Sequence, residues 1–150
     1  MIYYYNERDR LIVGKFKHID NEDMCPDISQ HVEYAEVYRA TKSDDELHVE
    51  DFLPWNIEHT NQRKTFKNQF KQSQYGLSVF TDLGSLKNTV ERFPALSDSI
   101  NAYAKGFTTI TRGISLKENA MHHVEYFLYD YEYNSPKDDF EIVEVREKHG

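Results

Sequence analysis

The C-terminal third of the chain limits the fold most tightly, because it contains three β-rich runs in direct succession. These runs are FTTITRGISL at 107–116, HHVEYFLYDYE at 122–132 and DDFEIVEVRE at 138–147. The intervening NSPKD predicts a turn before the last run, since its residues favour turns. Strands grouped in this way are typical of α+β proteins rather than of regularly alternating β–α units.

The remaining strands are predicted from shorter runs. IYYY and RLIVGKF predict an N-terminal hairpin over 2–16, with polar residues at its turn. A polar connector without periodicity follows at 18–30. HVEYAEVYRA at 31–40 and YGLSVF at 75–80 then predict two further strands.

Two helix pairs are predicted between and after these strands. Ser43 and Glu46 fit a capping box before LHVEDFL, and a second helix follows from Thr60 to about Ser73. The later pair is SLKNTVERF and LSDSINAYAK, with Gly106 ending the second of these helices. We therefore predict one α+β domain over 1–150, with a mixed or mainly antiparallel sheet and two helix pairs packed on it.

Composition predicts a soluble cytoplasmic protein. The 150 residues include a single cysteine, so no internal disulfide can form. The N-terminus lacks the pattern of a signal peptide, and no apolar run approaches the roughly 20 residues that span a bilayer. We therefore expect no membrane association.

Charge is distributed unevenly along the chain, whose net charge is −8. Residues 1–55 carry 13 acids and 6 bases, residues 56–117 carry 4 acids and 9 bases, and residues 118–150 carry 9 acids and 3 bases. Such asymmetry predicts a molecule with distinct charged faces, which affects association more than folding.

The tripeptide HVE occurs three times, at 31–33, 48–50 and 123–125. On a strand, residues two apart share a face, so His123 and Glu125 could both face one ligand. A metal site requires at least three such donors in a defined geometry. We therefore predict no metal site.

The acidic and aromatic residues after 128 predict a contact surface for a protein partner, since tyrosine is enriched at interface hot spots. Its predicted members are Tyr129, Asp130, Tyr131, Glu132, Tyr133, Asp138 and Asp139. The leading hypothesis is a small acidic protein that acts by binding a macromolecular partner. By analogy, acidic inhibitors or accessory proteins from mobile elements can block a basic nucleic-acid-binding surface in this way.

The predicted helix at 60–73 gives an alternative function. Its basic stripe, formed by Arg63, Lys64, Lys67 and Lys71, lies beside Phe66 and Phe70 and could meet the phosphates of a nucleic acid. The acidity of the whole chain weakens long-range attraction to a polyanion, so we rank nucleic-acid binding behind both protein binding and the enzymatic alternative below.

The main alternative to protein binding is an enzyme, and it comes from the order of three short motifs. Arg39 lies in VYRA, Tyr75 and Ser78 lie in YGLSVF, and Glu144 lies in FEIVEV. This order resembles the arginine–serine–glutamate arrangement of ADP-ribosyltransferase-like proteins. The resemblance implies NAD as cofactor, with Arg39 on a phosphate, Ser78 at the nicotinamide pocket and Glu144 on the ribose. His123 is an alternative to the final residue. Apart from this resemblance, no cofactor is predicted.

Overall fold

The structure of the protein is a computed structural model. It describes residues 3–5, 11–13, 16–17, 19, 25–53 and 76–147. Its strands are β1 (Tyr3–Tyr5), β2 (Leu11–Val13), β3 (Val37–Thr41), β4 (Leu77–Phe80), β5 (Ala102–Gly106), β6 (Gly113–Ser115), β7 (His123–Leu128) and β8 (Phe140–Val145). Its helices are α1 (Leu83–Arg92) and the single-turn α2 (Pro94–Ser97), together with short 3-10 turns.

Six of these strands form the main sheet, in the order β6–β7–β4–β3–β5–β8. Every neighbouring pair in it is antiparallel. Strands β1 and β2 form a separate antiparallel pair in which Tyr4 lies opposite Ile12. The predicted α+β class with a mainly antiparallel sheet is therefore confirmed. Within the described ranges, no helix has the length and apolar character to cross a membrane.

One side of the main sheet, here called the core face, carries the largest apolar cluster. Period-2 alternation sends Leu77 and Val79 of β4 to this face, beside Val124 and Tyr126 of β7. Phe52 reaches the same cluster from a 3-10 turn at Val49–Phe52. Burying an aliphatic or aromatic side chain of this size contributes about 1.5–3 kcal/mol, so this cluster is a main source of stability.

The opposite side, here called the helix face, is partly covered by α1. Leu86 and Val90 lie one turn apart on this helix and pack against Phe80 and Tyr103 of the sheet. The carboxylate of Asp82 accepts a hydrogen bond from the backbone N–H of Ser85 at 2.8 Å and caps the helix N-terminus. The predicted helix SLKNTVERF is therefore confirmed, with its start two residues earlier.

The second predicted helix of that pair is wrong over most of its length. Residues 102–106, read as the end of a helix, form β5, which is hydrogen-bonded to β3 on one side and to β8 on the other. Alanine and lysine favour helices in isolation. Here the small side chains of Ala102 and Ala104 are fully buried in the middle of the sheet, and this packing outweighs the local preference.

The first helix of the earlier predicted pair is not formed as predicted. Residues 42–48 form a loop around the buried carboxylate of Asp51, which accepts hydrogen bonds from the backbone N–H groups of Lys42, Ser43 and His48. These bonds replace the capping box expected from Ser43 and Glu46. Only the 3-10 turn at Val49–Phe52 is helical there, and the predicted helix at 60–73 lies outside the described residues.

Several strand boundaries also differ from the predictions. The run at 31–40 forms a strand only from Val37, and the run at 107–116 only at Gly113–Ser115. The predicted connector at 18–30 is described at Ile19 and from Cys25 onward, where Ile28–Gln30 forms a 3-10 turn.

Candidate functional site

A polar group lies on the helix face where β4 and β7 pair. In this register Ser78 lies opposite Glu125, and Phe80 lies opposite His123. Because alternate residues of a strand share a face, all four side chains project from the same side of the sheet. The group lies between the apolar cluster at α1, which contains Phe80, and a second apolar cluster that contains Phe127.

The centre of this group is a hydrogen bond between a hydroxyl and an imidazole. Ser78 Oγ lies 2.9 Å from Nε2 of His123, and Ser78 is exposed to solvent. The His123 ring is half-buried and meets the Phe80 ring edge-on, with centroids 5.2 Å apart. Burial lowers the pKa of His123 below 6.5, so its imidazole is neutral at pH 7. In the tautomer that carries its proton on Nδ1, Nε2 accepts from the serine.

The carboxyl group of Glu125 is also affected by burial, which raises its pKa above the ordinary value of 4.5. Farther along the same face, the Phe127 ring lies over Gly76, whose missing side chain leaves room for it. A Cβ at Gly76 would approach the ring to 3.2 Å. The resulting surface combines a hydroxyl, a neutral imidazole and a carboxyl group with aromatic neighbours.

Arg39 lies elsewhere, on the core face of β3. Its side chain is only 8% exposed, and its guanidinium donates to three backbone carbonyls. Nε donates to Asp51 at 2.6 Å, Nη1 to Ser78 at 2.9 Å and Nη2 to Leu53 at 3.1 Å. The guanidinium also lies 5.8 Å from the centre of the Phe52 ring. Arg39 therefore has an extensive structural role.

Glu144 lies on the edge strand β8, on the helix face. Its carboxylate forms an ion pair with Lys87 of α1, at an N–O distance of 2.5 Å. Three strand spacings separate β8 from β4 in the sheet order, about 14 Å. The structure therefore brings the side chains of Ser78 and His123 together. The Arg39 side chain lies on the opposite face and reaches only the backbone carbonyl of Ser78, and Glu144 lies three strands away. The resemblance to ADP-ribosyltransferase-like proteins stays a prediction that rests on residue order.

The second candidate site is the segment 129–139, here called the Tyr133 loop. Its exposed side chains include Asp130, Glu132 and Asp138, while Tyr133 is 89% exposed. Three other predicted members, Tyr129, Tyr131 and Asp139, are buried or partly buried. Tyr129 is fully buried and packs against Phe16.

Two further members of the predicted surface also contact the rest of the protein. The hydroxyl of Tyr131 donates to the carbonyl of Thr111 at 2.9 Å. Asp139 forms a two-pronged ion pair with Arg112, with N–O distances of 2.5 and 3.2 Å. The exposed part of the predicted surface is therefore smaller than the sequence indicates.

A buried asparagine holds the Tyr133 loop in shape. Asn134 is fully buried, and its amide donates to the carbonyls of Arg112 at 2.9 Å and Tyr129 at 2.7 Å. Tyr133, just before it, has a φ of 63°, a left-handed conformation uncommon for a residue with a side chain. Arg112 and Asn134 are not predictable from the sequence as members of this site, because neither pattern nor spacing indicates contacts over 22 to 27 residues.

Two other histidines in the described part of the chain, His31 and His122, have partners of their own. Nδ1 of His31 accepts from the backbone N–H of Ser115 at 3.0 Å. His122 contacts Glu118 at 3.2 Å. The described residues contain no group of three or more histidine, cysteine or acidic side chains placed to hold a metal ion.

Comparisons of this chain with family models, with curated proteins and with solved structures return no match. Its class is therefore defined by the fold: an α+β protein with an antiparallel main sheet. Its candidate sites are the Ser78–His123 pair and the Tyr133 loop.

Proposed function

We propose that this protein acts by binding a basic protein surface through the Tyr133 loop. The observation that carries this proposal is the exposure of Tyr133. This residue is 89% exposed, its backbone has a left-handed conformation, and exposed acidic residues lie nearby in the sequence. An aromatic side chain so exposed contributes little to the fold, whereas tyrosine is among the commonest hot-spot residues of interfaces.

The internal contacts of the loop favour binding. Asn134 and the Arg112–Asp139 ion pair hold the backbone in one arrangement before a partner arrives. A preformed loop loses little conformational freedom on association, and that loss is one of the main costs of binding. The left-handed φ of Tyr133 itself costs on the order of 1–2 kcal/mol, which the neighbouring contacts must offset.

The charge of the loop indicates the kind of partner. Asp130, Glu132 and Asp138 are exposed, and Lys137 is the exposed base among them. Such a surface attracts lysine- and arginine-rich proteins and raises their rate of association. Many basic surfaces bind nucleic acid, so an inhibitor or accessory role at such a surface, in the cytoplasm, is part of this proposal.

The test is affinity capture from a cell lysate, quantified by mass spectrometry, with four forms of the protein. The wild type is compared with Tyr133→Ser, with the triple variant Asp130→Asn/Glu132→Gln/Asp138→Asn, and with Phe93→Ser. Phe93 is the matched control, because it is 56% exposed and lies outside the loop.

A basic protein retained by the wild type and by Phe93→Ser, but lost from both loop variants, would support the proposal. Retention should also weaken as salt is raised from about 0.05 M to about 0.5 M, because salt screens exposed charges. Equal capture by all four forms would exclude the Tyr133 loop as the binding surface.

A further inference from the structure

We propose that Ser78 and His123 form a nucleophile–base pair that hydrolyses small uncharged carboxylic esters on the helix face of the main sheet. The inference is independent of partner binding through the Tyr133 loop, since it concerns other side chains and another chemistry.

The geometry provides the first argument. A serine is activated when a base lies within hydrogen-bond distance of its hydroxyl, and Ser78 Oγ lies 2.9 Å from His123 Nε2. Ser78 is exposed, so a substrate can reach its oxygen, while the half-buried His123 ring is held edge-on against Phe80. The base is thus positioned and the nucleophile is accessible.

The protonation state of the base provides the second argument. A general base must be unprotonated at the working pH, and burial lowers the pKa of His123 below 6.5. No charged group contributes to this shift, which arises from burial alone. The neutral imidazole is therefore the dominant form at pH 7.

The surroundings indicate the class of substrate. Phe80 borders the pair at one end, and Phe127 lies farther along β7 on the same face. In the described part of the chain, no lysine or arginine contacts the side chains of Ser78, His123 or Glu125. Among the described side chains, an anionic substrate such as a phosphate monoester would find no counter-charge at the pair, which favours an uncharged ester.

The reaction balances without a cofactor. Ser78 Oγ forms a bond to the acyl carbon while its proton passes to Nε2 of His123, and the bond from that carbon to the alcohol oxygen breaks. The departing alcohol oxygen takes the proton from His123. Water then attacks the acyl-serine and gives a proton to Nε2, and the Ser78–acyl bond breaks. Ser78 recovers the proton, and the net change is ester plus water to acid plus alcohol.

The test uses an alkyl fluorophosphonate, an uncharged probe that labels activated serines. Ser78 Oγ would bond to phosphorus while fluoride leaves and the serine proton passes to His123. Peptide mass spectrometry of the wild-type protein should locate the adduct at Ser78. Ser78→Ala and His123→Gln should lose the label, while Ser29→Ala should keep it. Ser29 is the matched control, because it is exposed and its hydroxyl bonds to the Asp27 carboxylate rather than to an imidazole.

Hydrolysis of p-nitrophenyl butyrate provides a second readout on the same four proteins. A positioned general base contributes about 10²–10⁴-fold, so His123→Gln should lower the rate by at least about 100-fold. The wild-type rate should rise with pH through a pKa below 6.5, the ordinary value for histidine, and then level off. An unlabelled Ser78 in the wild type would overturn the proposal. So would labelling that persists in His123→Gln, because the imidazole would then not activate the serine.

Discussion

Replacing Arg39 with methionine tests the structural role assigned to its guanidinium. The change keeps a long side chain and the contact with Phe52, but removes every hydrogen-bond donor. The backbone carbonyls of Asp51, Leu53 and Ser78 would lose their bonds from Nε, Nη2 and Nη1. The bond to Ser78 crosses from β3 to β4, so part of the contact between these central strands would be lost with it.

The expected loss follows from opposing terms. Hydrogen bonds from a charged donor contribute about 1.5–3 kcal/mol each, so three of them represent at least about 4.5 kcal/mol. Methionine also removes the cost of burying a cation, which offsets part of this loss. We expect Arg39→Met to lower the free energy of unfolding by about 3 kcal/mol.

Urea denaturation followed by circular dichroism measures this change directly. With an m-value of about 2 kcal/mol per molar, the midpoint should fall by about 1.5 M. The matched control is Arg92→Met, since Arg92 is an exposed arginine in the last turn of α1 and should cost about 0.5 kcal/mol. A midpoint for Arg39→Met equal to that of Arg92→Met would refute the structural role of the three carbonyl bonds.

Two other predictions concern backbone packing and pH. A Cβ at Gly113 would lie 2.1 Å from the carbonyl oxygen of Phe127, so Gly113→Ala should destabilise by more than about 3 kcal/mol. Gly84→Ala, in which the new Cβ would lie 3.4 Å from its nearest neighbour, should be neutral or stabilise by up to about 1 kcal/mol, and urea denaturation measures both variants. Burial lowers the pKa of His123 below 6.5, so the unfolded chain binds a proton at this imidazole more readily than the folded chain does. The free energy of unfolding therefore decreases as pH falls below about 6.5. His123→Gln should therefore lose less stability than the wild type between about pH 7.5 and pH 5.5, as judged by urea midpoints, and an equal loss would contradict this.

The sequence predicts a strand well where the packing around that strand agrees with the strand's own alternation of apolar and polar residues. The alternation in HHVEYFLYDYE predicts β7, because Val124 and Tyr126 face the core while Glu125 does not. β5 shows the opposite case, since AYAK favours a helix in isolation and becomes a strand only between two partners. The loop around Asp51 was missed for a related reason, because its carboxylate binds backbone groups up to nine residues away.

The sequence named Ser78 and His123 only as members of an ADP-ribosyltransferase-like arrangement, and it did not predict that their side chains meet. Ser78 and His123 were both identified from short motifs, yet their contact spans 45 positions along the chain. It depends on the register of β4 against β7, and a shift of one residue would send one partner to the other face. The sequence contains no local signal that fixes this register.

Side chains along a strand alternate between the two faces of the sheet. This explains why the arginine–serine–glutamate order does not by itself define a shared cleft. Arg39 and Ser78 lie on neighbouring strands, but the arginine reaches the serine only through its backbone carbonyl, and its side chain belongs to the core face. Substitution of Arg39 would therefore weaken the fold whether or not a ligand binds. Loss of NAD binding in Arg39→Ala would demonstrate a ligand contact only if the variant were shown to be folded under the same conditions. The effect of Ser78→Ala on the Ser78–His123 pair is easier to interpret. Ser78 is exposed, so its replacement by alanine removes a hydroxyl from the surface rather than a donor from the core.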